Sequence, residues 1–171
     1  MLTIRSERLE DIPSVRILNE RAFEQSAEAD IVDKLRHACA EMLSFVAEDE
    51  GRVVGHILFT PAVIKSGKRV IQGMALAPMA VVPERQREGI GTKLVEHGLN
   101  VLQERSCPFV IVLGHPDYYP RFGFELASRH SIACQWEGVP DEAFMIIIFD
   151  EIVMEGVAGV ARYRDEFDES S

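Results

Sequence analysis

The 171-residue sequence lacks the features that define several classes of protein. Its three cysteines have no CxxC spacing, which argues against a disulfide framework or a zinc knuckle and favours a reducing compartment. Its five histidines show no HExxH or Cys-His spacing, so no metal site is expected. No apolar run approaches the ~18 residues of a membrane span, and the N-terminus has no apolar leader segment. We therefore expect a cytoplasmic protein without a membrane partner.

An excess of positive charge is also absent. The 18 Lys and Arg residues against 28 Asp and Glu residues give a net charge of −10, which argues against a nucleic-acid partner or an anionic lipid surface. Any anion must therefore bind at a local site. Apolar residues make up 47% of the chain, enough for a core. At this length we expect one domain over residues 1–171, with a frayed acidic tail at 165–171.

The hydrophobic pattern of the first half predicts two helices and then a β-meander. Leu2–Arg5 is strand-like, and Asp11 and Ser26 are candidate N-caps of the two helices. Pro61 indicates an edge or a bulge within the meander. The strands predicted for the meander cover residues 43–47, 53–64 and 69–73.

The second half begins with an apolar strand over residues 74–82, which is expected to be irregular at Pro78. A helix of about four turns follows from Ile90, and Phe109–Leu113 is a strand of the buried type. Later elements are a short helix at 118–122, a strand near Phe124 and an apolar strand at 144–149. The last strand is either a buried centre or a contact between two copies in a homodimer.

The most informative segment is a glycine-rich turn at Pro83–Lys93, between an apolar strand and a helix. Gly89 and Gly91 allow close approach of the backbone to a ligand, and the amides at the helix start favour an anion such as pyrophosphate. Three positively charged residues of the turn also favour binding of an anion: Arg85, Arg87 and Lys93. The spacing fits no P-loop, and Leu94 occupies the third position of a GxGxxG turn. From spacing alone, a plain strand-to-helix turn is the alternative.

Two motifs in the correct order resemble those of the GCN5-related N-acetyltransferase (GNAT) family. Gln86-Arg87-Glu88-Gly89-Ile90-Gly91 resembles the (Q/R)xxGx(G/A) signature, and Tyr119-Pro120-Arg121-Phe122-Gly123-Phe124 resembles the YxxxGF element. The likeness covers nearly the whole chain, and Gly156–Gly159 leading to Tyr163 resembles a bacterial subgroup of predicted acetyltransferases. The resemblance implies an α/β fold: a mixed sheet of about six or seven strands, splayed between the fourth and fifth, flanked by about four helices.

The resemblance also implies a site for acetyl-CoA. The backbone of Met79, Ala80 and Val81 would bond the pantetheine arm, and the Val81 N–H would polarise the acetyl carbonyl. The residues that would wrap the pyrophosphate are Arg87, Glu88, Gly89, Ile90, Gly91 and Thr92. Tyr119 would protonate the departing thiolate, because a phenol is protonated at neutral pH. A tyrosine that only packs is the alternative.

The general base is left unassigned. The apolar strands at 74–82 and 109–113 carry no carboxylate, and His56 and His115 qualify only by their chemistry. The sequence thus predicts an enzyme, an N-acetyltransferase that transfers the acetyl group of acetyl-CoA to a primary amine of an unidentified small molecule or protein, by direct transfer in a ternary complex. A non-catalytic sensor that binds CoA or acyl-CoA is the alternative.

Overall fold

The structure, a computed structural model, describes residues 1–168. These residues form nine strands: β1 (Leu2–Ser6), β2 (Leu43–Asp49), β3 (Arg52–Ser66), β4 (Arg69–Val81), β5 (Phe109–Leu113), β6 (Glu125–Leu126), β7 (Ile132–Cys134), β8 (Phe144–Ile148) and β9 (Gly159–Arg162). They also form three α-helices: α1 (Ile12–Phe23), α2 (Ala27–Ala38) and α3 (Ile90–Glu104). Both parallel and antiparallel strand pairs occur, so the predicted mixed α/β class is confirmed. The described residues hold more strands and fewer α-helices than expected, because short segments after Phe124 pair as strands or form 3-10 turns.

The chain divides into two compact units. The first contains Met1–Phe59, Ala77–Asn100 and the chain from Asp165 onwards. The second contains Thr60–Leu76 and Val101–Arg164, so β3 and β4 supply residues to both units. The expectation of a single domain stays a prediction.

In the first unit, β1, β2 and the first part of β3 form an antiparallel ladder. A buried cluster contains residues of α1, α2, β2 and β3: Val15, Ile31, Val32, Leu35, Val46 and Leu58. Phe167 packs against this cluster from a 3-10 turn at Asp165–Phe167. The prediction of a frayed tail is therefore wrong for 165–167, because Phe167 finds apolar partners; residues 169–171 lie outside the described residues.

Two glycines bring α3 close to β3. A Cβ added to Gly55 of β3 would lie 2.9 Å from Leu94 Cδ1 and 3.0 Å from Ile90 Cγ2. On the helix, a Cβ added to Gly98 would lie 2.2 Å from the ring of Phe59. A side chain at Gly98 would overlap the Phe59 ring, and one at Gly55 would push the ends of the Leu94 and Ile90 side chains aside. The absence of side chains at these two positions therefore fixes how closely α3 packs against the strand.

The two predicted N-caps have the right positions but make no side-chain capping bond. Asp11 precedes α1 and Ser26 precedes α2, as expected. The Asp11 carboxylate instead accepts hydrogen bonds from the Arg5 guanidinium at 2.7 and 3.0 Å and from the Arg8 N–H at 2.7 Å. The Arg5 guanidinium lowers the pKa of Asp11. Asp11 thus joins β1 to the start of α1 as an ion-pair partner.

In the second unit, β8 is paired on both edges. It runs antiparallel to β5 on one side and to β6 on the other, and Phe144, Met145 and Ile146 are buried. The interpretation of this apolar strand as a buried centre is therefore confirmed, whereas a homodimer stays a prediction. The parallel pairing of β4 with β5 is short and joins Met74–Leu76 to Val110–Val112.

The prolines of the meander lie inside strands. The ladder of β3 with β2 ends at Phe59, and its ladder with β9 begins at Val63, so Pro61 lies between two pairings. The prediction of separate strands at 69–73 and 74–82 is wrong, because β4 continues from Arg69 to Val81. The irregularity expected at Pro78 takes the form of a cis peptide bond after Ala77.

Candidate active site

The glycine-rich turn joins β4 to α3 in the first unit. Arg87 and Gly89 both have left-handed backbones, with φ of 68° and 86°, while a Cβ added to Gly89 would meet nothing within 4 Å. Gly89 is therefore needed for its conformation rather than for space. The Lys93 N–H donates to Gly89 O at 3.2 Å as the first bond of the helix. Since helical bonds begin there, the N–H groups of Ile90 and Gly91 have no acceptor within α3.

The three cations of this turn are not equivalent. Arg85 donates to Glu88 at 2.8 Å and to Asp49 at 3.0 Å, and these bonds raise the pKa of its guanidinium. Within residues 1–168, Arg87 and Lys93 form no salt bridge, and both are exposed. The positive charge available to an anion therefore resides on Arg87 and Lys93. The pairing of Arg85 is not predicted from the sequence, although Glu88 follows it at the i+3 spacing that favours ion pairs.

The last residues of β4 present alternate backbone groups to its two edges. The N–H of Val82 donates to Val54 O of β3 at 2.9 Å. Because successive residues of a strand direct their N–H groups to opposite edges, the N–H groups of Val81 and Met79 point away from β3. The Gln86 side chain donates to Val81 O at 3.1 Å, which holds the turn against this edge. Ala80 directs its N–H towards β3.

Tyr119 opens a 3-10 turn in the second unit, shortly after β5. Tyr119 is 7% exposed, and its ring centroid lies 5.1 Å from that of Tyr118 and 5.7 Å from that of Phe124. Its hydroxyl makes no hydrogen bond to another group of residues 1–168. Burial raises the pKa of Tyr119 to about 12, so the phenol is protonated at neutral pH. Tyr119 is thus a packed aromatic residue that also keeps its hydroxyl available.

His56 does not have the properties of a general base. It is fully buried, and burial lowers its pKa to about 3. The Asn19 Nδ2 donates to Val15 O at 3.0 Å and lies 3.3 Å from His56 Nδ1. Because Val15 O fixes Nδ2 as a donor, His56 Nδ1 accepts, and we assign the ring proton to Nε2, 2.9 Å from Ser44 Oγ. This tautomer cannot take a proton from Ser44. His115 is exposed after β5.

We expect the free energy of unfolding to fall on acidification because the fold holds His56 neutral. Its pKa is about 3 in the folded chain against an ordinary value of 6.5. The unfolded chain therefore binds the extra proton first, and the stability contributed above pH 6.5 is lost as the pH falls towards 3. From pH 7 to pH 5 the loss is about 2 kcal/mol. Urea unfolding at pH 7 and at pH 5 measures this loss of stability. A His56→Gln variant that loses the same free energy of unfolding between the two pH values would contradict the assignment to His56.

Two further findings concern metals and membranes. Within residues 1–168, no three side chains of His, Cys, Asp or Glu are grouped as a metal site would require. In the same range, no helix combines the length and the apolar character needed to cross a membrane.

Comparison with known proteins identifies the family. Residues 3–127 match the family model of the acetyltransferase (GNAT) domain. The chain is 36% identical over 167 residues to the uncharacterized N-acetyltransferase YhbS of Escherichia coli, covering 97% of this chain and 98% of that relative. The crystal structure of YhbS with CoA is similar, with a TM-score of 0.90, 36% identity and coverage of 98% of this chain and 92% of that one.

A second solved structure is a GNAT family acetyltransferase of Brucella melitensis in complex with acetyl-CoA. It has a TM-score of 0.81 and 35% identity, and the match covers 98% of this chain and 99% of that one. These matches agree with the two motifs and with the mixed α/β fold. The chain belongs to the GNAT family of acetyltransferases.

Proposed function

We propose that this chain transfers the acetyl group of acetyl-CoA directly, in a ternary complex, to a primary amine of a small molecule or a protein. The observation that carries the proposal is the turn before α3, where Arg87 and Lys93 form no salt bridge within residues 1–168 and the N–H groups of Ile90 and Gly91 have no acceptor in the helix. The pyrophosphate of acetyl-CoA suits such a turn. The complexes of two relatives with CoA and acetyl-CoA support the same donor.

The proposed donor site uses backbone groups for most of its bonds. Met79 and Val81 would bond the pantetheine arm at the edge of β4 opposite β3, and Ala80 would line it. The residues proposed to wrap the pyrophosphate are Arg87, Glu88, Gly89, Ile90, Gly91 and Thr92. Since Arg85 already holds the Glu88 carboxylate, Glu88 would contribute through its backbone.

The proposed chemistry requires two groups beyond the donor site. The Val81 N–H would bond the acetyl oxygen as the amine attacks and negative charge develops on it. Tyr119 would donate to the thioester sulfur as the carbon–sulfur bond breaks. With the pKa of Tyr119 near 12 against ~8.5 for a thiol, transfer of the proton to a free thiolate is uphill. We therefore propose that Tyr119 stabilises the departing sulfur mainly by its hydrogen bond.

Calorimetric titration with acetyl-CoA and with CoA tests the donor site. We expect one saturable site, and a roughly tenfold weaker affinity in Arg87→Gln, because a charge-assisted hydrogen bond contributes ~1.5–3 kcal/mol. Lys68→Gln is the matched control: it removes the same charge from an exposed turn of the second unit and should bind as the wild type does. Equal affinity in Arg87→Gln and wild type would contradict the assignment of Arg87.

Release of CoA thiol in the presence of a panel of primary amines tests the transfer itself. Amine-dependent release, with the acetylated amine found by mass spectrometry, is the expected result. Binding of acetyl-CoA without release for any amine would instead favour the sensor. No binding by the folded protein would overturn both interpretations.

A further inference from the structure

We propose that Gly114, the residue directly after β5, positions the Tyr119 hydroxyl for catalysis because its missing side chain leaves the space that the tyrosine ring occupies. The inference rests on the proposed role of Tyr119. It makes Gly114 a positioning residue, which acts on the reaction only through the ring beside it.

The contact between the two residues is unusually close. A Cβ built on Gly114 would lie 2.2 Å from Tyr119 Cε2, 2.7 Å from Cδ2 and 3.3 Å from Cζ. These atoms form the ring edge that leads to the hydroxyl. To reach an ordinary contact of 3.4 Å, the ring edge would have to move by at least about 1.2 Å.

Neighbouring groups restrict where the ring can go. The rings of Tyr118 and Phe124 meet Tyr119 edge to face, and that of Phe122 lies 6.3 Å away. The Gly114 backbone is also held, because its N–H donates to Ala143 O at 3.0 Å. A methyl group at 114 therefore has to displace the ring rather than the strand.

The backbone itself does not require glycine at this position. Gly114 is not among the described glycines with positive φ, so an alanine fits its conformation. Gly114→Ala thus adds one methyl group whose three nearest atoms all belong to the Tyr119 ring. A displacement of about 1 Å at a catalytic group costs on the order of 100-fold in rate, and we expect a loss of kcat of that size with KM for acetyl-CoA nearly unchanged.

A kinetic double-mutant cycle tests the proposal with acetyl-CoA and a pool of primary amines, by release of CoA thiol. The four proteins are wild type, Gly114→Ala, Tyr119→Phe and the double variant. Since both substitutions remove the same hydroxyl from its place, the double variant should be no slower than Tyr119→Phe alone. Additive losses, or full kcat in Gly114→Ala, would overturn the proposal. Full kcat in Tyr119→Phe would instead overturn the proposed role of Tyr119.

Thermal unfolding supplies a readout that does not depend on activity. Gly114→Ala should lower Tm in the wild-type background and leave it unchanged in a Tyr119→Ala background, where no ring blocks the methyl group. If Gly114→Ala alone fails to fold, recovery of the fold in the Tyr119→Ala background supports the contact. An equal loss of Tm in both backgrounds would contradict it.

Gly73→Ala is the matched control for a purely structural loss. A Cβ at Gly73 would lie 2.5 Å from Phe109 O and 2.7 Å from the Phe109 ring, so the clash is similar in size but faces another residue. We expect Gly73→Ala to lower Tm without the non-additive loss of kcat with Tyr119→Phe. If the losses of kcat in Gly73→Ala and Tyr119→Phe were also non-additive, strain anywhere in this unit would produce the result, and the specific role of Gly114 would be overturned.

Discussion

Tyr119→Phe is expected to lower kcat by about 100-fold and to leave the Kd for acetyl-CoA unchanged. A positioned proton or hydrogen-bond donor contributes ~10²–10⁴ to a rate, and a group that acts only in the transition state affects kcat rather than binding. Tyr119 is 7% exposed and its ring packs edge to face with Tyr118 and Phe124, so a phenylalanine ring preserves this packing. Steady-state kinetics with an identified amine, together with calorimetry, measure the two effects separately.

Tyr118→Phe is the control for this variant. It removes the same atom from the adjacent ring, whose centroid lies 5.1 Å from that of Tyr119, and it should retain kcat within a factor of about three if only Tyr119 acts on the thioester. The raised pKa adds a second check. Because the pKa of Tyr119 is about 12, kcat should show no loss between pH 7 and pH 9 from ionisation of this phenol. Unchanged turnover in Tyr119→Phe would remove the residue from the mechanism.

Gly91→Val is expected to weaken acetyl-CoA binding by 100-fold or more. Gly91 is the second residue of α3, which begins directly after the left-handed Gly89, where the helix amides would meet the pyrophosphate. A branched side chain there would occupy the space that the phosphate oxygens need. Helix propensity favours valine over glycine, so Tm should not fall while binding is lost.

Gly91→Ala separates steric exclusion from a general effect of substitution. The family signature that the turn resembles accepts alanine at this position, so this variant should bind acetyl-CoA within a few-fold of the wild type. Calorimetry on both variants, with thermal unfolding to show that each is folded, is the measurement. Retained affinity in Gly91→Val would mean that the ligand does not lie against this turn.

Local patterns predicted the elements with a clear period. The bounds of β5 agree with the sequence-based expectation, and α3 has the expected length, because the apolar positions of both elements face the core. The strands β6, β7 and β9 have only two to four residues and contain polar or glycine positions. Such segments become strands only because a partner strand lies beside them, which no local pattern encodes.

The same limit explains what was missed in the site. The sequence predicts Tyr119 and the glycine-rich turn as site residues because each lies within a short motif of neighbouring residues. The hydrogen bond from Arg85 to Asp49 joins residues 36 positions apart, and the contact between Asn19 and His56 joins residues 37 positions apart. Asp11 shows that a correct position does not give the correct partner, since Arg5 competes for the carboxylate that would cap the helix.

Gly98, one of the two glycines that bring α3 close to β3, links the packing of the core to the position of the glycine-rich turn. Gly98 lies about eight residues from the start of the helix, or ~12 Å along its axis, and the helix transmits a displacement as a rigid rod. An alanine at 98 gains ~1 kcal/mol of helix propensity, yet it would press on Phe59 and lift the helix. A substitution at the buried Gly98 is therefore expected to change the proposed acetyl-CoA site without touching it. A side chain at position 98 would be accommodated only together with a smaller residue at Phe59.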